Sequence, residues 1–337
     1  MNTTPSSTPH LTSTTSDISG VPRHGDRTTS DQDQPRVEPT MRARAAVERA
    51  LVLGGGGSTG NAWVIGVLAG LFDAGLDVTT ADLIIGTSSG STVAAQMAGA
   101  SPTELFAAII AAPPLQRSDS VGPDRGRAPI RPVADHMERI SKIIASAEDA
   151  ADMRRRMGAA SLEMDAVSDG SWQTQWRATV ASRLPSQHWP ERKVLITAVD
   201  AQTGEPVVFD RDSGVDLADA VAASCASGLP YRIGDTPYID GGYRRNENAD
   251  LAAGYRRVVV LSPFGGRTLH PLDWGMQLAA QVEELCASGS RVETISPDSA
   301  SEHFFGGNAM DLSLRPPAAR AGYEQGRALA ELTEFWL

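Results

Sequence analysis

The chain has 337 residues and a formal net charge of −11 at pH 7. This acidic balance argues against broad nucleic-acid binding and against docking on anionic membranes through global charge. The two cysteines, Cys225 and Cys286, indicate no disulfide framework, no Cys/His cluster has metal-ligand spacing, and no run approaches a membrane span. The sequence therefore predicts a cytoplasmic protein without a metal, with peripheral contact to a membrane left open.

Residues 1–45 are predicted to form a disordered tail. The first 40 residues contain 15 Ser/Thr and five Pro, no aromatic residue and four large aliphatic side chains. Such a segment cannot bury enough apolar surface to offset the entropy lost on ordering. It also has no charged region followed by an apolar stretch, so it does not resemble a secretory signal. Residues 46–337 show no internal linker and predict one α/β domain.

The first predicted strand, residues 50–53, runs into four consecutive glycines and then into a helical pattern that includes Trp63. Consecutive glycines at a strand-to-helix turn leave backbone N–H groups bare, and such a nest binds an anion. The amides of Gly55, Gly56 and Gly57 are therefore candidates to hold either a phosphate or the oxyanion of an acyl transfer.

The second predicted strand, residues 83–85, leads into Gly86-Thr87-Ser88-Ser89-Gly90 and then into a helix of small residues. This arrangement is typical of a nucleophile elbow, in which the glycines allow a sharp turn and the serine hydroxyl is exposed at the sheet edge. The helix N-terminus behind the turn favours developing negative charge. The context of the motif thus marks Ser88 as a candidate nucleophile.

Helices are predicted next at 102–110, from Asp135 to 151, and over 162–184 with a break at Gly170. The later elements alternate strands and helices and lie at 194–199, 207–209, 215–226, 258–261, 274–285, 292–295 and 316–335. Alternation of this kind, with nearly continuous apolar strands, predicts a mostly parallel sheet that is covered on both faces.

An Asp-Gly-Gly sequence, Asp240 to Gly242, ends a further short strand. On its own this pattern usually marks a turn. Because the carboxyl ends of parallel strands share one edge of a sheet, we expect Asp240 and Ser88 to meet there. Serine is a poor nucleophile until a base removes its proton, and Asp240 is the candidate base.

Together and in this order, the three motifs resemble those of the patatin-like phospholipase family of bacterial type. The residues that carry the resemblance are Gly55, Gly56, Gly57, Gly60, Gly86, Ser88, Gly90, Asp240, Gly241 and Gly242. The resemblance spans roughly residue 46 to the C-terminus and implies a three-layer α/β/α fold. It further implies a Ser88–Asp240 dyad that hydrolyses acyl esters of lipids without a cofactor. The family commonly has an asparagine after Asp-Gly-Gly, for which Asn246 and Asn248 are the candidates.

One position departs from the family pattern. The glycine loop of the family usually carries a basic residue before its last glycine, and this chain has Thr59 there. The backbone donors of the loop are unaffected, but a cation that would help stabilise an oxyanion or a phosphate headgroup is missing. The sequence therefore predicts a weaker preference for phospholipids and a slower reaction.

A Ser–His–Asp triad is the alternative mechanism, because the order Ser88, Asp240 and then His270 or His303 is that of α/β hydrolases. In this mechanism a histidine, and not the aspartate, would take the serine proton.

Two alternative functions also stay open. Gly55-x-Gly57-x-x-Gly60 matches a dinucleotide-binding fingerprint, although the acidic residue at a suitable spacing, Asp82, begins the second strand instead of ending it. The other alternative is a catalytically weak scaffold that binds a lipid or a partner, for which Thr59 is the warning sign. Activity on a soluble short-chain ester would separate the scaffold from an enzyme.

Overall fold

The computed structural model describes residues 48–113, 132–329 and 331–337, so the predicted tail lies outside the described residues. Within these ranges, eight strands form one sheet. They are β1 (Arg49–Leu53), β2 (Leu83–Gly86), β3 (Lys193–Asp200), β4 (Pro206–Phe209), β5 (Tyr231–Ile233), β6 (Thr236–Asp240), β7 (Arg257–Leu261) and β8 (Arg291–Ile295).

The strand order is β5-β6-β3-β2-β1-β7-β8, and β4 also pairs with β3. Strands β1, β2, β3, β7 and β8 are parallel to one another. Strands β4 and β6 run antiparallel to β3, and β5 runs antiparallel to β6. The predicted mostly parallel sheet is confirmed, with an antiparallel addition beside β3.

Ten α-helices accompany this sheet in the described part of the chain. They are α1 (Gly57–Asp73), α2 (Ser89–Gln96), α3 (Pro102–Ala111), α4 (Pro132–Ser146), α5 (Ala150–Ala166), α6 (Ser171–Ala181), α7 (Leu217–Ser224), α8 (Leu278–Ala287), α9 (Arg315–Ala328) and α10 (Leu332–Trp336). None of these helices is long and apolar enough to cross a membrane.

Side chains alternate along each strand, so the sheet has two buried faces. Leu51 and Leu53 of β1 belong to a core that includes residues of α1, α2, α7 and α9. Ala50 and Val52 belong to a second core that includes Leu278 of α8. The predicted three-layer α/β/α architecture is therefore confirmed.

Two predicted helical regions divide differently in the structure. The helix predicted from Asp135 to residue 151 is divided, because α4 ends at Ser146 and Asp149 caps α5 by accepting a hydrogen bond from the backbone amide of Asp152. The predicted break at Gly170 is confirmed, and this glycine has a φ of 70°. The helix predicted over 316–335 is also divided, since α9 ends at Ala328 and α10 begins at Leu332.

Candidate active site

Ser88 lies in the turn between β2 and α2 and has the backbone strain that an elbow requires. Its φ is 51° and its ψ is −120°. Among the described non-glycine residues, only Ser88 and Asn248 have a positive φ. A Cβ at Gly86 would lie 2.6 Å from the Cα of Ser91, and one at Gly90 would collide with the Leu53 carbonyl. The turn therefore needs both glycines, and it holds the serine at the N-terminus of α2.

The Ser88 hydroxyl donates a hydrogen bond to a carboxylate oxygen of Asp240. The distance from Ser88 Oγ to Asp240 Oδ2 is 2.7 Å, and the other carboxylate oxygen accepts the Gly242 amide at 2.8 Å. Asp240 is buried, whereas Ser88 is half-buried. Burial raises the pKa of Asp240 to about 6, against the opposing effect of the two hydrogen bonds. Asp240 is thus a stronger base than an ordinary aspartate and is still largely ionised at neutral pH.

The reason for this contact differs from the one that the sequence suggested. Asp240 does not end a parallel strand, because β6 runs antiparallel to β3. Gly86 of β2 is opposite Ile196 of β3, and Ala198, two residues further along β3, is opposite Asp240. Ser88 is also two residues beyond Gly86. The pairing of β3 with β2 and β6 therefore brings the Ser88 hydroxyl and the Asp240 carboxylate to the same position along the strand direction.

The glycine loop lies directly beside Ser88. A Cβ built on Gly55 would be 3.4 Å from the Cβ of Ser88. The Gly55 amide itself is already engaged, because it donates to the Asn246 carbonyl at 3.0 Å. Within the described residues, the amides of Gly56 and Gly57 have no hydrogen-bond acceptor. Of the three predicted donors, Gly56 and Gly57 therefore keep unpaired amides, and these lie at the N-cap and the first residue of α1.

Thr59, the residue that departs from the family pattern, is fully buried in the first turn of α1. Its hydroxyl lies 3.4 Å from the Ala309 carbonyl, which also accepts its amide at 3.0 Å. Thr59 therefore anchors the helix start to the loop after β8 and brings no charge to it.

The two candidate asparagines after Asp-Gly-Gly have different contacts. The side-chain amide of Asn248 is buried within hydrogen-bond distance of the Thr87 hydroxyl, at 2.9 Å, and of the Gly241 carbonyl, at 3.2 Å. It thus connects the residue before Ser88 with the residue after Asp240. The Asn246 side chain instead donates to the Gly55 carbonyl at 3.2 Å, and the Asn246 backbone carbonyl accepts the Gly55 amide. Asn246 therefore binds both backbone polar groups of Gly55 in the glycine loop.

Sequence reasoning missed two further residues of this site. The Ser224 hydroxyl accepts the Ser88 amide at 2.9 Å. The buried Glu247 carboxylate accepts the Asn246 side chain at 2.9 Å and the Ser262 hydroxyl at 2.8 Å, and burial raises the pKa of Glu247. Ser224 lies in an unremarkable small-residue helix, and the only signal for Glu247 was its place between the two asparagines.

The histidines of the triad alternative are engaged elsewhere. A ring nitrogen of His270 pairs with the Thr268 hydroxyl at 2.8 Å, and one of His303 with the Ala300 carbonyl at 2.8 Å. Neither ring makes a hydrogen bond to Ser88 or Asp240. The geometry therefore favours the aspartate as the direct partner of the serine.

Asp82, the acidic residue of the dinucleotide alternative, also lies away from the glycine loop. Asp82 precedes β2 and accepts the backbone amides of Glu48 and Arg49, at 3.1 and 2.9 Å, at the amino end of β1. The glycine loop follows the carboxyl end of β1, so the two features are at opposite edges of the sheet. Among the described residues, no group of three or more His, Cys, Asp or Glu side chains is placed to hold a metal ion.

Comparison with known proteins identifies a matching family and similar solved structures. The profile described as patatin-like phospholipase matches residues 51–253, more than half of the chain. VipD from Legionella pneumophila is 13% identical with a TM-score of 0.40, and the match covers 85% of this chain and 67% of VipD. The type III effector protein ExoU is 17% identical with a TM-score of 0.38, and the match covers 86% of this chain and 54% of ExoU. This chain thus corresponds to little more than half of ExoU, and no curated protein matches it in sequence.

Proposed function

The chain belongs to the patatin-like phospholipase family, as its three motifs predict, and on that premise we propose that it is a serine hydrolase of lipid acyl esters. Ser88 is the nucleophile and Asp240 is the base. The observation that carries the proposal is the 2.7 Å hydrogen bond from the strained Ser88 to the buried Asp240 carboxylate. A nucleophile within hydrogen-bond reach of its base is the arrangement that covalent catalysis needs.

In the first step, Asp240 accepts the Ser88 proton while Ser88 Oγ bonds to the ester carbonyl carbon. The carbonyl oxygen becomes an oxyanion, and the open amides of Gly56 and Gly57 are the proposed donors to it. When the intermediate collapses, the carbon–oxygen bond to the leaving alcohol breaks and Asp240 returns the proton to that alcohol. Water then attacks the acyl-enzyme with Asp240 again as base, which releases the fatty acid and regenerates Ser88.

The loops at the carboxyl ends of the parallel strands present an apolar surface that the proposed lipid substrate could contact. Strands β1, β2, β7 and β8 are parallel, so the loops after β7 and β8 emerge beside the glycine loop and Ser88. Four large apolar side chains on these two loops are exposed: Leu269, Leu272, Met310 and Leu312. We propose that this rim contacts the lipid surface from which the substrate is drawn. Such peripheral contact would be apolar, because the chain as a whole is acidic.

Hydrolysis of a soluble short-chain ester tests the function directly, because it does not depend on membrane contact. We expect turnover by the wild type and none by Ser88→Ala. Ser89→Ala is the matched control, since the neighbouring hydroxyl is buried and has no hydrogen-bond partner in the described part of the chain. An inactive wild type would leave the catalytically weak scaffold as the better description. Equal activity of Ser88→Ala and Ser89→Ala would exclude Ser88 as the nucleophile.

A further inference from the structure

The side-chain amide of Asn246 is held in one orientation. Its nitrogen, Nδ2, donates to the Gly55 carbonyl at 3.2 Å and to Glu247 Oε1 at 2.9 Å. Glu247 Oε1 also accepts the Ser262 hydroxyl at 2.8 Å, so it serves as an acceptor on two sides. A flipped Asn246 amide would place its oxygen against these acceptors and lose both hydrogen bonds. The side-chain oxygen, Oδ1, therefore points away from Gly55 and Glu247.

The Glu247 carboxylate is itself held in place. Glu247 and Gln281 are both buried, and Glu247 Oε2 lies 3.5 Å from Gln281 Nε2. The Gln281 amide cannot turn, because its oxygen accepts the Ala249 amide at 2.7 Å and its nitrogen donates to the Met276 carbonyl at 3.2 Å. The acceptor that fixes the Asn246 nitrogen is therefore fixed by the structure around it.

Asn246 Oδ1 borders the space beside the proposed dyad. A Cβ built on Gly55 would lie 2.8 Å from Asn246 Oδ1 and 3.4 Å from Ser88 Cβ. A Cβ built on Gly242 would lie 3.9 Å from Asn246 Oδ1 and 3.1 Å from Asp240 Oδ1. The space that these two glycines leave open is therefore bordered by Ser88, Asp240 and the side-chain oxygen of Asn246.

Within the described residues, Asn246 Oδ1 accepts no hydrogen bond. Asn246 is half-buried, and Oδ1 is not one of the fully buried polar atoms that lack a partner in that part of the chain, so water can reach it. An oriented acceptor without a partner in the protein is available to a donor that enters the space beside it. Water is the reactant of the proposed reaction that brings two hydrogens to this space.

We propose that Asn246 Oδ1 orients the water that hydrolyses the acyl-enzyme, which makes Asn246 a catalytic residue of the second half of the reaction. The inference rests on the proposed function and adds a residue to it. The Ser88 hydroxyl has one hydrogen, and the Asp240 carboxylate alone can orient it. Water has two hydrogens, and its lone pair is directed at the acyl carbon when an acceptor holds each of them. Asp240 holds one hydrogen and Asn246 holds the other.

In this step the water oxygen bonds to the acyl carbon, and one water hydrogen passes to Asp240. The other hydrogen stays on the water oxygen and donates to Asn246 Oδ1, while the acyl carbonyl oxygen becomes an oxyanion. When the bond between the acyl carbon and Ser88 Oγ breaks, Asp240 returns the proton to Oγ. The product is a carboxylic acid, whose hydroxyl keeps the hydrogen that Asn246 held.

Competition between water and methanol for the acyl-enzyme tests the inference, because methanol has a single O–H and needs only Asp240. The enzyme turns over p-nitrophenyl butyrate in the presence of methanol, and the ratio of methyl butyrate to butyric acid is measured. Asn246→Leu approximates the shape of asparagine without its polar atoms. We expect this change to raise the ratio about 3- to 10-fold, the loss of one hydrogen bond to water. Total turnover should also fall, because the Gly55 carbonyl loses its donor, but this affects water and methanol alike.

Ser224→Ala is the matched control for this ratio. The buried Ser224 hydroxyl accepts the Ser88 amide, so its loss disturbs the nucleophile without removing an acceptor that water can reach. We expect lower turnover and an unchanged product ratio. Asn246→Ala removes the same oxygen with less crowding and should raise the ratio at least about twofold, which keeps the test decisive if Asn246→Leu does not fold. An unchanged ratio in a folded Asn246 variant would overturn the inference.

Accumulation of acyl-enzyme is a second measurement that does not depend on methanol. Mass spectrometry of enzyme quenched during turnover gives the fraction that carries a butyryl group. We expect a larger fraction in Asn246→Leu than in the wild type and no increase in Ser224→Ala, because only the asparagine change slows the second step more than the first. An equal or smaller fraction in Asn246→Leu would contradict a role in deacylation. A wild type that forms neither acid nor acyl-enzyme would overturn the proposed function, whereas an active wild type with an unchanged ratio in the variants overturns this inference alone.

Discussion

The two residues of the candidate dyad, Ser88 and Asp240, are positioned in different ways. Ser88 is positioned locally, by a strained backbone between β2 and α2 and by glycines that no other residue could replace without a clash. Asp240 is positioned by tertiary structure, because its level beside Ser88 depends on the antiparallel pairing of β6 with β3. The nucleophile is therefore evident from a five-residue motif, while the base depends on residues far apart in the chain.

The largest loss of activity should come from a change at Asp240, the residue whose position depends on tertiary structure. Asp240→Asn keeps the side-chain shape but removes the base, so kcat on a soluble ester should fall by about 10²- to 10⁴-fold. Thermal stability should not fall, because the change also removes a carboxylate whose charge burial disfavours. Asp235→Asn, in the exposed turn before β6, is the matched control. Activity close to wild type in Asp240→Asn would transfer the role of base to another residue.

The surroundings of Ser88 can be disturbed through the neighbouring glycine loop, which carries the proposed oxyanion donors. A Cβ at Gly56 would lie 2.5 Å from the Cβ of Pro263, so Gly56→Ala must displace the loop. Loss of one oxyanion donor typically costs about 10²- to 10³-fold in kcat, and we expect a loss in that range. At Gly307 a Cβ would meet nothing within 4 Å, so Gly307→Ala serves as the control.

The same variant separates the hydrolase from the dinucleotide alternative. NAD should give the wild type no thermal shift at millimolar concentration. Saturable NAD binding that Gly56→Ala abolishes would restore the dinucleotide alternative.

The pH dependence sharpens the comparison because burial raises the pKa of Asp240, the proposed base of the dyad, to about 6. Asp240 must be ionised to act, so kcat/KM should be constant above about pH 6 and fall about tenfold per unit below it. The raised pKa also means that the folded state binds this proton more tightly than the unfolded state does. Relative to Asp240→Asn, the wild type should therefore lose unfolding free energy as pH rises from 3.8 to about 6. A kcat/KM profile that is flat to pH 4 would contradict the burial of the base.

A smaller effect, confined to aggregated substrates, should follow from changes in the apolar rim. Leu272→Asp places a charge on an exposed loop side chain and should lower hydrolysis of lipid in vesicles several-fold. Turnover of a soluble ester should stay unchanged, because Leu272 makes no hydrogen bond to Ser88 or Asp240. Phe72→Asp, an exposed apolar residue on α1 away from these loops, is the control. Equal effects of the two changes on vesicle hydrolysis would remove the special role of the rim.

The smallest effect should come from the N-terminal segment. Deletion of residues 1–40 should leave Tm and soluble-ester turnover unchanged, because the composition of that segment predicts no packed structure. A large drop in Tm would show that the segment packs on the domain.

Local chemistry explains which features could be predicted from the sequence. The elbow and the central strands were evident, because glycine spacing and apolar runs report directly on turns and buried strands. The role of β6 was not, because the direction in which a short strand pairs is decided by distant residues. Ser224 and Glu247 were missed for the same reason, since each contacts the site from a segment without a motif of its own.

The most direct test of the central claim is the site at which a fluorophosphonate probe attaches, mapped by mass spectrometry. The proposed mechanism predicts a single labelled residue, Ser88, and much slower labelling in Asp240→Asn because the base that activates the hydroxyl is gone. Labelling of any other residue, or labelling of Ser88 at the wild-type rate in Asp240→Asn, would contradict the Ser88–Asp240 dyad.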